Sequence, residues 1–265
     1  MFPPRAPFPQ QMLVGVWKTD PIRRAQPALT APSSLAKRPT KPLSLARRRA
    51  KLPPPPRGAR TRALLTVDRL KAVYAEIMEL DHEGPFQLVI ATILSAQTTD
   101  KMVNSVTPAL FKAYPTPHDL AAADPADVER IIKPTGFFRA KTKAIIGCAR
   151  ALVERFNGEV PSRMEDLVTL PGIGRKTANV ILGVGFGISG FPVDTHVTRL
   201  TNRLRLVATR DPEKIETYVC SMVPSREWTG LSLRLILHGR RVCDARRPRC
   251  ESCVLNDYCP SSTVK

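Results

Sequence analysis

Four cysteines near the end of the chain, Cys243, Cys250, Cys253 and Cys259, follow the pattern C-x6-C-x2-C-x5-C within 17 residues. Thiols this close in sequence must finish close in space, and as thiolates they repel one another unless a cation sits among them. A disulfide reading is weak, because the chain is long enough to build a core without covalent staples. Metal is therefore the default. Structural zinc sites usually consist of two short knuckles, whereas only Cys250 and Cys253 form one here. A [4Fe–4S] cube presents iron at four corners and accepts the wider gaps. Iron–sulfur is the expectation and zinc the alternative. The first gap carries Arg246, Arg247 and Arg249, which would stand beside the metal in position for phosphates. Cys148 and Cys220 fall on apolar helical faces and read as core thiols.

The arginines of that loop belong to a wider excess. Lys and Arg number 41 against 23 Asp and Glu, a net charge of +18, which points to a polyanion as partner. Residues 1–62 hold 14 of the bases, a single acid in Asp20, and half of the 26 prolines. With Pro53 to Pro56 in a row, the run Arg47-Arg48-Arg49 and no apolar periodicity, this stretch reads as a disordered tail. Three roles stand open for it: a solvated leader, an organellar transit peptide, or an arm that grips DNA. It lacks the apolar segment of a secretory signal. The longest nearly apolar run, Val180 to Val193, is broken by four glycines and a proline, too short and interrupted to span a bilayer. No membrane partner is expected.

From Ala63 onward the punctuation is helical. Val67, Leu70, Val73, Tyr74 and Ile77 form one stripe, and Ile145, Cys148, Ala149, Leu152 and Phe156 another. Phe86 to Ala96 reads as a buried helix. Thr98-Thr99-Asp100, Asp124-Pro125 and Asp211-Pro212 each supply a helix start. No stretch alternates at period two, so the chain is predicted to be all-α, with about ten helices and no sheet.

In Leu170-Pro171-Gly172-Ile173-Gly174-Arg175-Lys176-Thr177-Ala178, two glycines permit a tight turn whose N–H groups point outward at a helix N-terminus. A single phosphate suits such a site, with Ile173 plugging the turn into the core. The pattern differs from a P-loop, lacking G-x-x-x-x-G-K and a preceding strand. A plain joint between two helices is the bland alternative. Lys176 also has two readings. Arg175, the helix dipole and partial burial would all favour the neutral amine, a nucleophile; equally, the ammonium could hold a phosphate as a point charge. Asp194, in Val193-Asp194-Thr195-His196, reads locally as an N-cap, and such a carboxylate at a cleft edge could also stabilise a sugar cation. His196 reads as a packing residue.

The glycine hairpin with its lysine, Val-Asp-Thr-His 18 residues after it, Leu94 to Asp100, Leu237-His238-Gly239-Arg240 and the four-cysteine loop occur together. In this combination, over about residues 64 to 260, the chain resembles the endonuclease III family, bacterial DNA glycosylases and abasic-site lyases of the helix–hairpin–helix class. The resemblance implies two helical lobes with DNA in the cleft between them. One is a continuous six-helix domain, about 85–195, containing the hairpin at about 164–183. The other joins 63–84 to 196–265 and holds the cluster. It implies Lys176 and Asp194 as catalytic groups, the four cysteines as ligands of a [4Fe–4S] cluster, and Gly172, Gly174, Arg175 and Thr177 as DNA contacts. Gln97 matches the residue that enters the duplex when the damaged nucleotide leaves. Phe137 falls where the family commonly places a leucine wedge, a departure that bears on lesion preference. The implied activity is excision of oxidised pyrimidines from double-stranded DNA through a lysine Schiff base, followed by strand cleavage at the abasic site. A monomer working on nucleoid DNA in the cytoplasm is expected, with organellar import through the tail left open. Two rivals stand beside this: an adenine-mismatch glycosylase, which lacks the lysine, and a non-catalytic hairpin DNA-binding protein.

Overall fold

Side-chain caps build the expected helix starts. The structure, a computed structural model, describes residues 52–74 and 78–264. The expectations for residues 1–51 and for Ile77 lie outside them. Among the described residues every regular element is helical and none is a strand, as the period analysis predicts. In chain order they are α1 (Ala59–Val73), α2 (Gly84–Leu94), α3 (Asp100–Ala113), α4 (Pro117–Ala121), α5 (Pro125–Ile132), α6 (Phe138–Phe156), α7 (Met164–Leu167), α8 (Arg175–Val180), α9 (Thr195–Arg203), α10 (Pro212–Met222) and α11 (Trp228–Arg241). Thr99 accepts from the Met102 N–H ahead of α3, Asp124 from Ala126 ahead of α5, and Asp211 from Glu213 and Lys214 ahead of α10. Each cap satisfies a donor the helix cannot, worth about 1 kcal/mol. Pro125 and Pro212 sit in the first turn, where a missing N–H costs nothing.

The apolar stripes collect into two clusters. The first gathers Ile90, Leu94, Val103, Leu110, Ile132, Ile145 and Leu152 from α2 through α6, with Ile181 just after α8. The second gathers Leu70 of α1 with Val197, Leu200, Ile215, Val219, Leu231 and Leu235 of the last three helices, and Cys243, Cys253 and Cys259 pack against it. Among the described residues α1 thus packs with the C-terminal helices. Each fully buried Leu, Ile or Val stabilises by about 1.5–3 kcal/mol.

Two expectations need correction. The tail was bounded at residue 62, but α1 begins at Ala59, which is buried. Leu52 packs on the second cluster, and the Tyr218 hydroxyl donates to the Pro53 carbonyl at 2.8 Å. A proline run has no helical period to read, yet its carbonyls still accept hydrogen bonds. Val73, placed in the α1 stripe, is 51 % exposed because the helix ends there. Tyr74 leaves it in extended backbone and turns its ring into the second cluster.

Two ion-pair groups join elements of the two clusters. On α8, Arg175 Nε and Nη2 each donate to a Glu216 oxygen of α10 at 2.8 Å. Arg240, at the end of α11, pairs with Asp100 at the start of α3 at 2.6 Å and with Glu79.

Candidate active site

Ile173 is buried in the first cluster and fastens the hairpin turn. On one side of it, Gly172 has φ +78°, and a Cβ there would stand 3.3 Å from Ala144 Cβ and Ile93 Cγ2. On the other, Gly174 caps α8 with extended backbone, no side-chain cap and open space beside its Cα. The leading N–H groups of α8 therefore have no side-chain cap and face space that a Cβ-free turn leaves clear. After Val180 the helix widens into one π turn, Ile181–Gly185.

Lys176 is exposed in the first turn of α8. It lines a hollow of about 800 Å³ with Leu52, Gly174, Asn179, Val193 and the start of α10. Asp194, half-buried, lines a second hollow of about 670 Å³ with Thr198, Asn202 and Arg210. The two hollows share Val193 and Pro212, so the lysine and the aspartate line adjoining spaces. Asp194 also performs its local role: Oδ1 accepts from the Val197 N–H at 2.8 Å and caps α9. Burial was expected to act on the Lys176 amine, but the side chain is exposed. Arg175 was expected to repel that amine; its guanidinium instead meets the Glu216 carboxylate through two hydrogen bonds. The charge beside Lys176 is thus largely balanced, a pairing that sequence reasoning missed. Thr177, on the next position of α8, is half-buried. His196 is the packing residue expected: it lies against Gly239 and the Arg199 guanidinium, and burial first of all holds it below the usual imidazole range.

Gln97 and Phe137 share an unusual backbone. Both are exposed, Phe137 by 69 %, and both are non-glycine residues in the left-handed region, with φ +53° and +47°. Such strain costs of order 1 kcal/mol and persists where the surroundings hold it. A local link joins the two loops, since the Thr98 hydroxyl lies 2.6 Å from the Thr135 carbonyl.

None of the six cysteines is joined in a disulfide. Cys148 is fully buried, and burial pushes it up to about 12; Cys220 is pushed up for the same first reason. Cys148 is the core thiol expected, and Cys220, half-buried, packs against the second cluster. Cys243, Cys250, Cys253 and Cys259 line one cavity with Arg203, Pro248 and Asn256. Burial first, and then the charge of neighbouring thiolates, raises Cys253 and Cys259 above the usual thiol range. A cation among them would reverse that sign. One cavity lined by four cysteines fits a [4Fe–4S] cube, which takes one thiolate at each corner iron. Donors point at the sulfurs: Arg203 Nη1 reaches Cys243 Sγ at 3.1 Å and His238 Nε2 reaches Cys253 Sγ at 3.3 Å. With the proton on Nε2, the Tyr74 hydroxyl donates to His238 Nδ1 at 2.9 Å, and burial holds this imidazole down to about 4. In the loop between the first two cysteines, Arg246, Arg247 and Arg249 are exposed.

Sequence profiles decide the family. The profile of the HhH-GPD superfamily of base excision DNA repair proteins matches residues 90–225, and that of the iron–sulfur binding domain of endonuclease III matches 243–259. Endonuclease III of Synechocystis sp. is 51 % identical over 195 residues, 73 % of this chain and 89 % of the relative. The chain belongs to the endonuclease III family. Endonuclease III of Escherichia coli is 41 % identical over 181 residues, 68 % of this chain and 86 % of the relative. Two solved structures superpose with a TM-score of 0.73: a non-covalent endonuclease III–DNA complex, 38 % identical, and a trapped endonuclease III–DNA covalent intermediate, 39 % identical. Each covers 76 % of this chain, with 95 % and 96 % of its own length aligned. As a member, the chain is a base excision repair enzyme, a DNA glycosylase and abasic-site lyase that carries the family's [4Fe–4S] cluster. No helix of the described residues is long and apolar enough to cross a membrane. Beyond Glu216, local periodicity carries no signal for the polar contacts of Arg203 with Cys243 or of Tyr74 with His238, because each partner lies far along the chain.

Proposed function

We propose that this endonuclease III family member removes oxidised pyrimidines from duplex DNA and cuts the strand with Lys176 as nucleophile. The observation that carries this reading is the placement of Lys176 and Asp194 in adjoining hollows that share Val193 and Pro212. A damaged base in a duplex is out of reach, so its nucleotide is extruded at a cost of a few kcal/mol. Exposed Gln97 and Phe137 fill the gap it leaves. Gly172, Gly174 and Thr177 hold a phosphate at the head of α8 through backbone N–H groups, while Arg175 serves this contact through Glu216, by seating the hairpin on α10.

As the bond from C1′ to the base stretches, positive charge grows on the sugar and the Asp194 carboxylate stabilises it. The Lys176 lone pair forms the bond to C1′, and the electron pair of the breaking bond leaves with the base, which takes a proton. Ring opening puts a proton on O4′ and leaves a C1′ iminium. The iminium acidifies C2′; loss of that proton forms the C2′–C3′ double bond and expels the 3′ phosphate. Asp194 accepts the lysine's proton. Cys243, Cys250, Cys253 and Cys259 hold the cluster, which when bound cross-links the loop that carries Arg246, Arg247 and Arg249 toward DNA phosphates. The enzyme acts as a monomer on cytoplasmic nucleoid DNA.

Borohydride reduction on duplex DNA containing thymine glycol tests the assignment. The intact chain becomes covalently linked to DNA. Lys176→Gln binds the same duplex and gives no adduct; an adduct persisting in Lys176→Gln refutes the nucleophile.

A further inference from the structure

Lys141 is buried, 5 % exposed, in the first turns of α6, and burial holds its amine below the ordinary lysine range. Among the described residues no carboxylate pairs with it; its partners are the Thr98 hydroxyl, at 2.5 Å, and the Thr135 carbonyl, at 2.8 Å. The Thr98 hydroxyl in turn donates to the same carbonyl. These three groups close a triangle between two loops that lie 37 residues apart in sequence. Thr98 directly follows Gln97, and Thr135 stands two places before Phe137. The backbone N–H of Lys141 also donates to the Phe137 carbonyl at 3.0 Å. Both residues proposed to enter the duplex are therefore tied, within two positions, to one amine.

A buried lysine without an acid is costly, and a methionine would fill the same space without desolvating a charge. What methionine cannot supply is two directed donors reaching both loops at once. The load on these loops explains the need. An unstacked duplex pushes back with the few kcal/mol spent on extrusion, and two strained surface loops held only by their own backbones would yield to it.

We infer that Lys141 is a positioning residue that clamps the Gln97 and Phe137 loops into one rigid wedge, which sets how well the enzyme extracts a lesion that is still paired. This rests on the reading of Gln97 and Phe137 as the groups that fill the gap. The clamp touches neither the sugar nor the reacting atoms, so it acts on extrusion and leaves the chemical steps alone.

Single-turnover excision distinguishes this from a role in folding. Thymine glycol is placed either opposite adenine or opposite an abasic gap, where little extrusion work remains. Lys141→Met loses roughly tenfold on the paired lesion, equivalent to about 1.4 kcal/mol of extruded-state stabilisation, and much less on the unpaired one. A 2-aminopurine beside the lesion reports less unstacking in the same variant. Lys141→Arg, which keeps a cation and two donors, recovers most of the loss. Thr98→Val, which removes the hydroxyl and leaves the lysine, shifts the paired-to-unpaired ratio in the same direction by a smaller factor and serves if Lys141→Met does not fold. Equal losses on both substrates, or no loss, overturn the clamp. Gln97→Ala and Phe137→Ala report on the underlying reading: if they too show no loss specific to the paired lesion, the wedge itself fails. If they show it and the Lys141 and Thr98 variants do not, only the clamp fails.

Discussion

Splitting the Arg175–Glu216 pair should destabilise the protein strongly, whereas removing both partners should not. The guanidinium is 29 % and the carboxylate 10 % exposed, with two parallel hydrogen bonds of 2.8 Å. Breaking a buried pair by deleting one member costs about 3–5 kcal/mol, mostly through the charge left behind. Arg175→Met strands the better buried group and should cost about 3 kcal/mol. Glu216→Leu strands a guanidinium that water can still reach and should cost about 2 kcal/mol. The double variant replaces the pair with apolar groups and should lie within about 1 kcal/mol of the parent. At roughly 2–4 °C per kcal/mol for a domain of this size, the single variants melt about 5–10 °C lower. Thermal unfolding of the four cluster-loaded proteins, followed by circular dichroism, closes the cycle. The same proteins separate the pair's two conceivable roles on DNA. If Arg175 seats the hairpin and does not grip phosphate, the slope of log affinity against log salt is unchanged in the double variant. Loss of one phosphate contact would flatten it by about 0.9. Additive destabilisation in the cycle, or a flattened slope, refutes the account of Arg175 as a strut.

Other consequences are sharper as contrasts. Phe137→Gly relieves a left-handed backbone and removes a ring that is 69 % exposed, so stability should hold or rise by about 1 kcal/mol while excision of paired lesions falls; a loss of stability would show that the ring belongs to the core. Gly174→Ala meets open space and should leave the melting temperature unchanged while weakening DNA binding, since its methyl occupies the approach of the phosphate. Gly172→Ala, at φ +78° and against Ala144 and Ile93, should destabilise by 1 kcal/mol or more, and equal effects of the two substitutions would contradict this division of labour. Cys253→Ser should abolish the broad absorbance near 400 nm expected of a [4Fe–4S] cluster, and His238→Phe should retain it at first but bleach faster under a chelator, because Cys253 loses a donor; a wild-type bleaching rate would make that hydrogen bond incidental.

Local chemistry made much of this protein legible. A cap needs a side chain within three residues of the N–H it serves, so Thr99, Asp124 and Asp211 announced their helices. The cysteine spacing and the Gly-Ile-Gly turn are likewise confined to a few residues, and both lie where the sequence placed them. What the sequence could not carry were the polar contacts that join distant segments: Arg175 with Glu216, Lys141 with Thr98 and Thr135, and Tyr74 through His238 to Cys253. Each includes a partner 40 or more residues away, and nothing in the surrounding period distinguishes a lysine destined for the interior from one on a solvated face. The hidden contacts also share a location. They bind the hairpin to α10, the Gln97 loop to the Phe137 loop, and the cysteine loop to the end of α1, which are the joints that contact with DNA would load. Apolar burial sets how the two clusters pack, but it is non-directional and tolerates small sliding. A buried charge held by short directed hydrogen bonds tolerates much less, since displacement leaves the charge without its partners. On the proposed function, that difference gives these contacts their role: they hold the parts that must not shift when a nucleotide is drawn out of its stack.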